Sequence, residues 1–273
     1  MAFVSATTSS DRISQRFSEL RADGRRALVA YLTAGYPEPR WSAALLRALE
    51  RAGADVVEVG VPFSDPIADG PIIQASSQRA LEHGVTFEQT LEIIAEARLD
   101  VPVVLFTYLN PLVAAGARAL ERAAEAGAHG VLVTDLPLGA DAEREEWLGS
   151  GPLAFVRLVA PTTPRERMAK IAEHGRGFVY LISRLGVTGL RDELPPELAD
   201  TVGRLRSVTT LPVCVGFGIS RPDQARAVAS MADGVVVGSA VVRAAAEGVD
   251  AVTRLTRALR AAIDAAPPAG GAG

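Results

Sequence analysis

Short apolar runs rich in Val, Ile and Leu alternate with amphipathic stretches along most of the chain. Such runs are typical of parallel β-strands that are covered on both faces, and the stretches between them have helical periodicity. Several of these stretches end in Gly or Ala-Gly, which is a helix-termination signal. Eight strands are predicted, at Ala27–Leu32, Asp55–Val59, Val103–Thr107, Gly130–Thr134, Ala154–Val159, Phe178–Ile182, Pro212–Val215 and Gly234–Val237.

The helices between the strands include Trp41–Ala52, Leu120–Ala126 and Pro222–Met231, and one more, near Ile13–Arg21, precedes the first strand. Eight strand–helix units predict an α/β fold, a single (β/α)8 TIM barrel whose extra N-terminal helix could close its bottom. A doubly wound open sheet shares the alternation, but no Gly-x-Gly-x-x-Gly turn follows the first strand. We expect one domain over residues 1–265 and a disordered tail over residues 266–273.

The composition narrows the class of protein. Hydrophobic residues make up 48% of the chain, enough for a sizeable core, while a net charge of −4 and a pI near 5.5 give no case for binding nucleic acid or an anionic membrane. No apolar run reaches membrane-spanning length. The single cysteine, Cys214, excludes an intrachain disulfide and fits a reducing cytoplasm, where we expect the protein to act.

Two residue types that often carry catalysis are scarce. Lys170, in a predicted helix, is the only lysine, so a lysine Schiff base is not expected. His83, His129 and His174 each precede a glycine, a position predicted to end a helix or helical turn, and none has metal-ligand spacing. The chemistry is therefore expected to come from carboxylates, hydroxyls and backbone amides, with no metal.

Two carboxylates stand at the end of the second strand and in the loop after it. Glu58 lies inside an apolar strand, and Asp69 follows eleven residues later in a loop shaped by Pro and Gly. Burying a charged Glu is costly, and two carboxylates facing one pocket can hold different protonation states. One then donates a proton while the other stabilises positive charge. The structural alternative is a Glu paired with an Arg inside the barrel and an Asp that caps a helix.

Other chemistry-bearing residues also follow predicted strands, where barrel enzymes place their sites. The turns Gly216-Phe-Gly218-Ile-Ser220 and Gly238-Ser239-Ala240 are poor in side chains, so their amides could hold a phosphate, although each could also be an ordinary tight turn. The long segment from Ser183 after the sixth strand could be a lid that excludes water or simply a solvated loop.

These motifs occur together in one order. The longest reads Val-Glu58-Val-Gly-Val-Pro-Phe-Ser-Asp-Pro-Ile-Ala-Asp69-Gly-Pro-Ile-Ile-Gln. The other motifs are Thr-Ala-Gly-Tyr-Pro, Thr-Tyr-Leu-Asn-Pro, Asp-Leu-Pro, Ala-Pro-Thr-Thr-Pro, Ser-Arg-Leu-Gly-Val-Thr-Gly and Gly-Phe-Gly-Ile-Ser. Through these motifs the chain resembles the tryptophan synthase alpha-subunit family from about Leu28 to Ala240.

The resemblance implies retro-aldol cleavage of indole-3-glycerol phosphate to indole and glyceraldehyde 3-phosphate, without a cofactor in this chain. Glu58 matches the family's acid/base, and Asp69 matches the carboxylate that accepts the indole N–H. Tyr180 matches the tyrosine that positions that Asp, and Thr188 matches the threonine that locks the lid. The phosphate-binding positions are Gly189, Gly218, Gly238 and Ser239, and the residues that line the indole pocket are Tyr31, Phe106 and Tyr108.

The resemblance also implies a partner, a pyridoxal-phosphate beta subunit that receives indole within an α2β2 heterotetramer. Asp65, Pro66 and Asn110 fall at family positions that contact this partner. A stand-alone lyase that releases free indole would have the same catalytic residues, so it remains open. The presence of both acids speaks against an inactive barrel that serves only as an allosteric partner. The paired acids and the Val-Thr-Gly lid favour the lyase over another phosphate-sugar barrel enzyme such as a ketol isomerase.

Overall fold

The computed structural model describes residues 11–182, 195–216 and 218–267, and it contains a closed barrel of eight parallel strands. The strands follow one another around the barrel in chain order, and β1 pairs with both β2 and β8. This closure confirms the predicted TIM barrel and rules out the open sheet. The strands are β1 (Ala27–Thr33), β2 (Val56–Gly60), β3 (Val103–Thr107), β4 (Gly130–Val133), β5 (Ala154–Val159), β6 (Val179–Ile182), β7 (Val213–Gly216) and β8 (Gly234–Val237).

Helices surround the barrel and bury their apolar faces against the outward-facing side chains of the strands. None of the described helices is both long and apolar enough to cross a membrane. The helices are α1 (Asp11–Ala22), α2 (Pro39–Arg51), α3 (Pro71–Glu82), α4 (Phe87–Ala97), α5 (Leu109–Ala115), α6 (Ala119–Glu125), α7 (Ala142–Ser150), α8 (Arg165–Glu173), α9 (Leu198–Arg206), α10 (Pro222–Ala229), α11 (Ser239–Glu247) and α12 (Val249–Asp264).

The N-terminal helix α1 closes the bottom of the barrel, as predicted. Ile13, Phe17 and Leu20 are buried and join the cluster of side chains that fills the barrel interior. The ring of Phe17 lies 5.7 Å from that of Phe178, just before β6. A Cβ at Gly130, the first residue of β4, would approach the Ile13 side chain to 2.7 Å, so this strand end needs a glycine to admit α1.

A buried ionic cluster joins α1, β1, β2 and α12, and we call it the Asp55 cluster. Asp55, just before β2, is 1% exposed, and its carboxylate accepts hydrogen bonds from the side chains of Arg16 and Arg260 and from the Leu28 amide. Arg260 comes 205 residues later in the chain and also pairs with Asp264. The cluster therefore fastens both ends of the barrel's chain to its second strand.

The three histidines lie away from the C-terminal ends of the strands. His83 and His174 end α3 and α8, as predicted. The prediction was wrong for His129, which lies in the connection from α6 to β4, where its Nδ1 accepts a hydrogen bond from the Val103 amide at 3.2 Å. Burial, with Arg12 nearby, lowers the pKa of His129 to about 4, so the ring is neutral. Neutrality, rather than attraction to a helix end, suits this buried position.

Candidate active site

Glu58 projects from β2 into the barrel, next to Tyr31 of β1 and Val104 of β3 in the strand register. The residue is 1% exposed, and its Oε1 has no hydrogen-bond partner within the described residues. Burial raises the pKa of Glu58 to about 8. No described arginine pairs with Glu58, and a neutral carboxylic acid is the form that such surroundings favour at neutral pH.

Asp69 lies in the loop that joins β2 to α3 and is 6% exposed. It does not cap the helix, since Gly70 is the N-cap of α3 and no side chain caps that end. Burial raises the pKa of Asp69 to about 6, against the effect of a hydrogen bond from the Tyr108 hydroxyl to Oδ2 at 3.0 Å. At neutral pH, therefore, Asp69 is mostly ionised whereas Glu58 is mostly protonated. The site holds one acid and one anion, as paired carboxylates in different surroundings do.

Tyr108 donates a hydrogen bond to Asp69, whereas the resemblance assigned the positioning of Asp69 to Tyr180. Tyr108 follows β3, the neighbour of β2, and its hydroxyl also accepts from the Ala68 amide at 3.0 Å. Tyr180 stands on β6, on the far side of the barrel, and its hydroxyl lies over Gly216, where a Cβ would come within 2.2 Å of it. Tyr108 is therefore a partner of Asp69 that the sequence analysis did not assign, and the role of Tyr180 stays a prediction.

Aromatic side chains surround the two acids. The rings of Tyr31 and Phe106 meet edge to face at 5.1 Å inside the barrel. Phe63, half-buried in the loop between Glu58 and Asp69, lies 4.9 Å from the ring of Tyr108. The sequence analysis missed Phe63, whose signal was the single aromatic residue in the loop between the two acids. Together these rings form an apolar wall suited to a flat aromatic ligand.

The turns after β7 and β8 lead into α10 and α11, and the two helix starts differ in their hydrogen bonding. Gly218 has a φ of +89°, a conformation that favours glycine. The amide of Ser220 donates to the side chain of Gln224, so the start of α10 is already bonded internally. Gly238 is the N-cap of α11, Ser239 is its first residue, and no side chain caps this end. The α11 terminus is thus the better-prepared anion site of the two.

The predicted lid residue Thr188 and the predicted phosphate-binding residue Gly189 lie outside the described residues. Asp65 and Asn110 are exposed, and Pro66 is half-buried. Within the described part of the chain, no group of three or more His, Cys, Asp or Glu side chains could hold a metal ion.

Comparison with known proteins shows the family to which the chain belongs. A family model described as tryptophan synthase alpha chain matches residues 17–266. The chain belongs to the tryptophan synthase alpha chain family. It is similar to the alpha chain of Laribacter hongkongensis, with 47% identity over 263 residues that cover 93% of this chain and 100% of the relative. The alpha chain of Synechococcus elongatus is 45% identical, with 93% and 98% covered.

Solved structures agree in fold. A Mycobacterium tuberculosis tryptophan synthase structure superposes with a TM-score of 0.86 at 38% identity, covering 92% of this chain and 98% of that one. The alpha subunit from Legionella pneumophila gives 0.85 at 35% identity, covering 95% and 99%.

Membership makes the chain a carbon–carbon lyase of tryptophan biosynthesis that cleaves indole-3-glycerol phosphate. The names of its relatives support the alpha-subunit role over a stand-alone lyase. Tryptophan synthase alpha chains are the cofactor-free subunits of their enzyme and have a beta-subunit partner.

Proposed function

We propose that Glu58 is the acid and base of the cleavage. Its carboxylic acid donates a proton to C3 of the indole ring, and the carboxylate that results takes the proton from the hydroxyl on the adjacent glycerol carbon. That carbon becomes the aldehyde of glyceraldehyde 3-phosphate as the carbon–carbon bond breaks and its electron pair returns to the ring. The raised pKa of Glu58, about 8, supports this role because the acid starts protonated at neutral pH.

Asp69 has the complementary role in this proposal. Protonation at C3 leaves positive charge on the indole ring, and an ionised carboxylate that accepts the indole N–H stabilises it. The lower pKa of Asp69, about 6, and the hydrogen bond from Tyr108 support an anion at this position. Tyr31, Phe106 and Tyr108 would line the indole pocket, to which we add Phe63.

The phosphate of the substrate is assigned to Gly189, Gly218, Gly238 and Ser239, and Thr188 is assigned to locking the lid. The support within the described residues is the uncapped start of α11 at the C-terminal end of the barrel, since backbone amides and the helix dipole bind anions there. Tyr180, also at this end, remains assigned to substrate positioning.

The contrast that carries the proposal is between Glu58, whose pKa burial raises to about 8, and Asp69, whose pKa burial raises only to about 6. The decisive experiment measures indole release from indole-3-glycerol phosphate by the wild type, Glu58→Gln and Asp69→Asn, each with a tryptophan synthase beta subunit present. Loss of about 10²-fold or more is expected in both variants, because each lacks a group that acts in the transition state. Wild-type turnover in either variant would overturn the role assigned to that residue.

We assign the beta-subunit interface to the loop between the two acids and to α5, within an α2β2 complex in the cytoplasm whose pyridoxal phosphate belongs to the beta subunit. Asp65, Pro66 and Asn110 are the predicted contacts. Support comes from two exposed apolar side chains, Ile67 at 79% and Val113 at 39%, and from an open groove of about 520 Å³ beside this loop. Ile67→Asp should weaken beta-subunit binding in calorimetry while leaving the folded chain intact. Unchanged affinity would remove this surface from the interface.

A further inference from the structure

Three buried hydroxyls form one hydrogen-bonded chain from the barrel wall to helix α3. The hydroxyl of Tyr31 lies 3.2 Å from Oγ1 of Thr33, which lies 2.6 Å from Oγ of Ser76. Ser76 Oγ in turn donates to the backbone carbonyl of Ile73 at 2.8 Å. Thr33 is 0% exposed and Ser76 is 1% exposed, so water does not compete for these bonds.

The chain of hydroxyls runs in one direction. A carbonyl oxygen can only accept, so the single hydroxyl proton of Ser76 is committed to Ile73. Thr33 must therefore donate to Ser76, and Tyr31 must donate to Thr33. Thr33 and Ser76 each both donate and accept, and the loss of either hydroxyl leaves a neighbour unsatisfied in a buried place.

Helix α3 carries Asp69 at its start. The helix begins at Pro71, two residues after Asp69, and the side chain of Gln74 donates back to the Asp69 carbonyl at 2.9 Å. The Asp69 backbone is therefore clamped to the first turn of α3, whereas its carboxylate is held by Tyr108 of the neighbouring strand end. Within the described residues, the bond between Ser76 and Thr33 is the only hydrogen bond between side-chain hydroxyls that connects α3 to β1.

We propose that Thr33 and Ser76 are positioning residues for the cleavage, because their hydrogen bond holds α3 against β1 and so holds the Asp69 carboxylate where it meets the indole N–H. The inference rests on the role proposed for Asp69. A shift of about 1 Å in a group that acts on the transition state can reduce turnover by as much as 10²-fold. Neither residue needs to touch the substrate to have this effect.

The test uses isosteric and conservative variants, assayed for indole release with saturating beta subunit. Thr33→Val keeps the shape of the side chain and removes its hydroxyl, and Ser76→Ala removes the next one. Each should lower kcat by about tenfold and change KM less than twofold, because the phosphate turns are untouched. Thr33→Ser retains the hydroxyl and should recover most of the loss. Ser77→Ala, at the next buried position of α3, is the matched control and should behave as the wild type.

A double-mutant cycle separates positioning from general packing. If Thr33 and Ser76 act through one bond, the double variant Thr33→Val with Ser76→Ala loses no more kcat than either single variant. Additive losses, an equal loss in Ser77→Ala, or wild-type kcat in folded Thr33→Val or Ser76→Ala would overturn the proposal. Ser76→Ala keeps a strong helix former in α3, so it supplies the test if Thr33→Val does not fold.

Asp69→Asn, measured in the same assay, distinguishes this inference from the proposed function. If Asp69→Asn retains activity, the catalytic role of Asp69 fails and the inference fails with it. If Asp69→Asn loses activity while the Thr33 and Ser76 variants do not, only the inference is overturned.

Discussion

Replacing Glu58 with Gln is expected to abolish cleavage and at the same time to make the folded protein more stable. Glu58 is buried, its Oε1 has no hydrogen-bond partner among the described residues, and burial raises its pKa from 4.5 to about 8. At about 1.4 kcal/mol for each pH unit, that change corresponds to about 5 kcal/mol against ionising Glu58 in the folded state. The wild type keeps Glu58 protonated in the folded state and so forgoes the ionisation that is open to the unfolded chain. Gln has nearly the same shape and is neutral in both states, so the variant does not carry this cost.

The gain in stability should depend on pH with a definite sign. Glu58 ionises near 4.5 in the unfolded chain, whereas the folded protein keeps the proton until about 8. Between these values the unfolded state binds fewer protons, so the free energy of unfolding of the wild type falls as the pH rises. The stability advantage of Glu58→Gln should therefore grow by about 4 kcal/mol between pH 5 and pH 8.5.

Urea unfolding of the isolated chain at pH 5, 7 and 8.5 measures this difference directly. Asp69→Asn is the control, because the pKa of Asp69 rises only from 3.8 to about 6, so its advantage should stop growing above about pH 7. A Glu58→Gln advantage that is the same at all three pH values would refute a buried, protonated Glu58. The combination of high stability and lost activity would show that the acid is retained for catalysis at the expense of stability.

Three further predictions follow from the same geometry. The value of kcat/KM for cleavage should fall below about pH 6, where Asp69 gains a proton, and above about pH 8, where Glu58 loses one; a profile without both limbs would contradict these assignments. Gly238→Ala should raise KM, because Gly238 is assigned to the phosphate site, but it should not unfold the protein, since its φ is −111° and an added Cβ would meet its nearest neighbour at 3.6 Å. Gly149→Ala on α7 is the control and should leave KM unchanged. An unchanged KM in Gly238→Ala would remove α11 from the phosphate site. Asp55→Ala should lower the free energy of unfolding by about 3–5 kcal/mol, because both arginines of the Asp55 cluster then lack their buried carboxylate, and urea unfolding would disprove this with a loss below about 1 kcal/mol.

Most of the fold was predictable because its signals are local. All eight strands were predicted within one residue of their observed ends, and the glycines that end helices marked the connections. Glu58 was identifiable as a candidate because an acid inside an apolar strand is unusual, and Asp69 because it follows in a loop shaped by Pro and Gly. Within the described residues, Glu58 pairs in register with Tyr31, whose ring meets that of Phe106, and Asp69 accepts a hydrogen bond from Tyr108.

The partners of these residues were not predictable in the same way. The motifs alone did not show that Tyr108 would reach Asp69, since Tyr108 follows one strand of the barrel and Tyr180 lies on another. The order of strands in the barrel places β3, and with it Tyr108, next to β2. The prediction that His129 ends a helix was also wrong, because the glycine after it begins a strand instead of ending a helix.

The sequence by itself determined the alternation of strands and helices and the identity of the two acids, because periodicity and residue type act over short distances along the chain. Tertiary structure alone decided the protonation of Glu58 and Asp69, the hydroxyl chain that ends at Ser76 and the pairing of Asp55 with Arg260 across 205 residues. These features depend on burial and on contacts between distant segments. Both arise only when the barrel closes and excludes water.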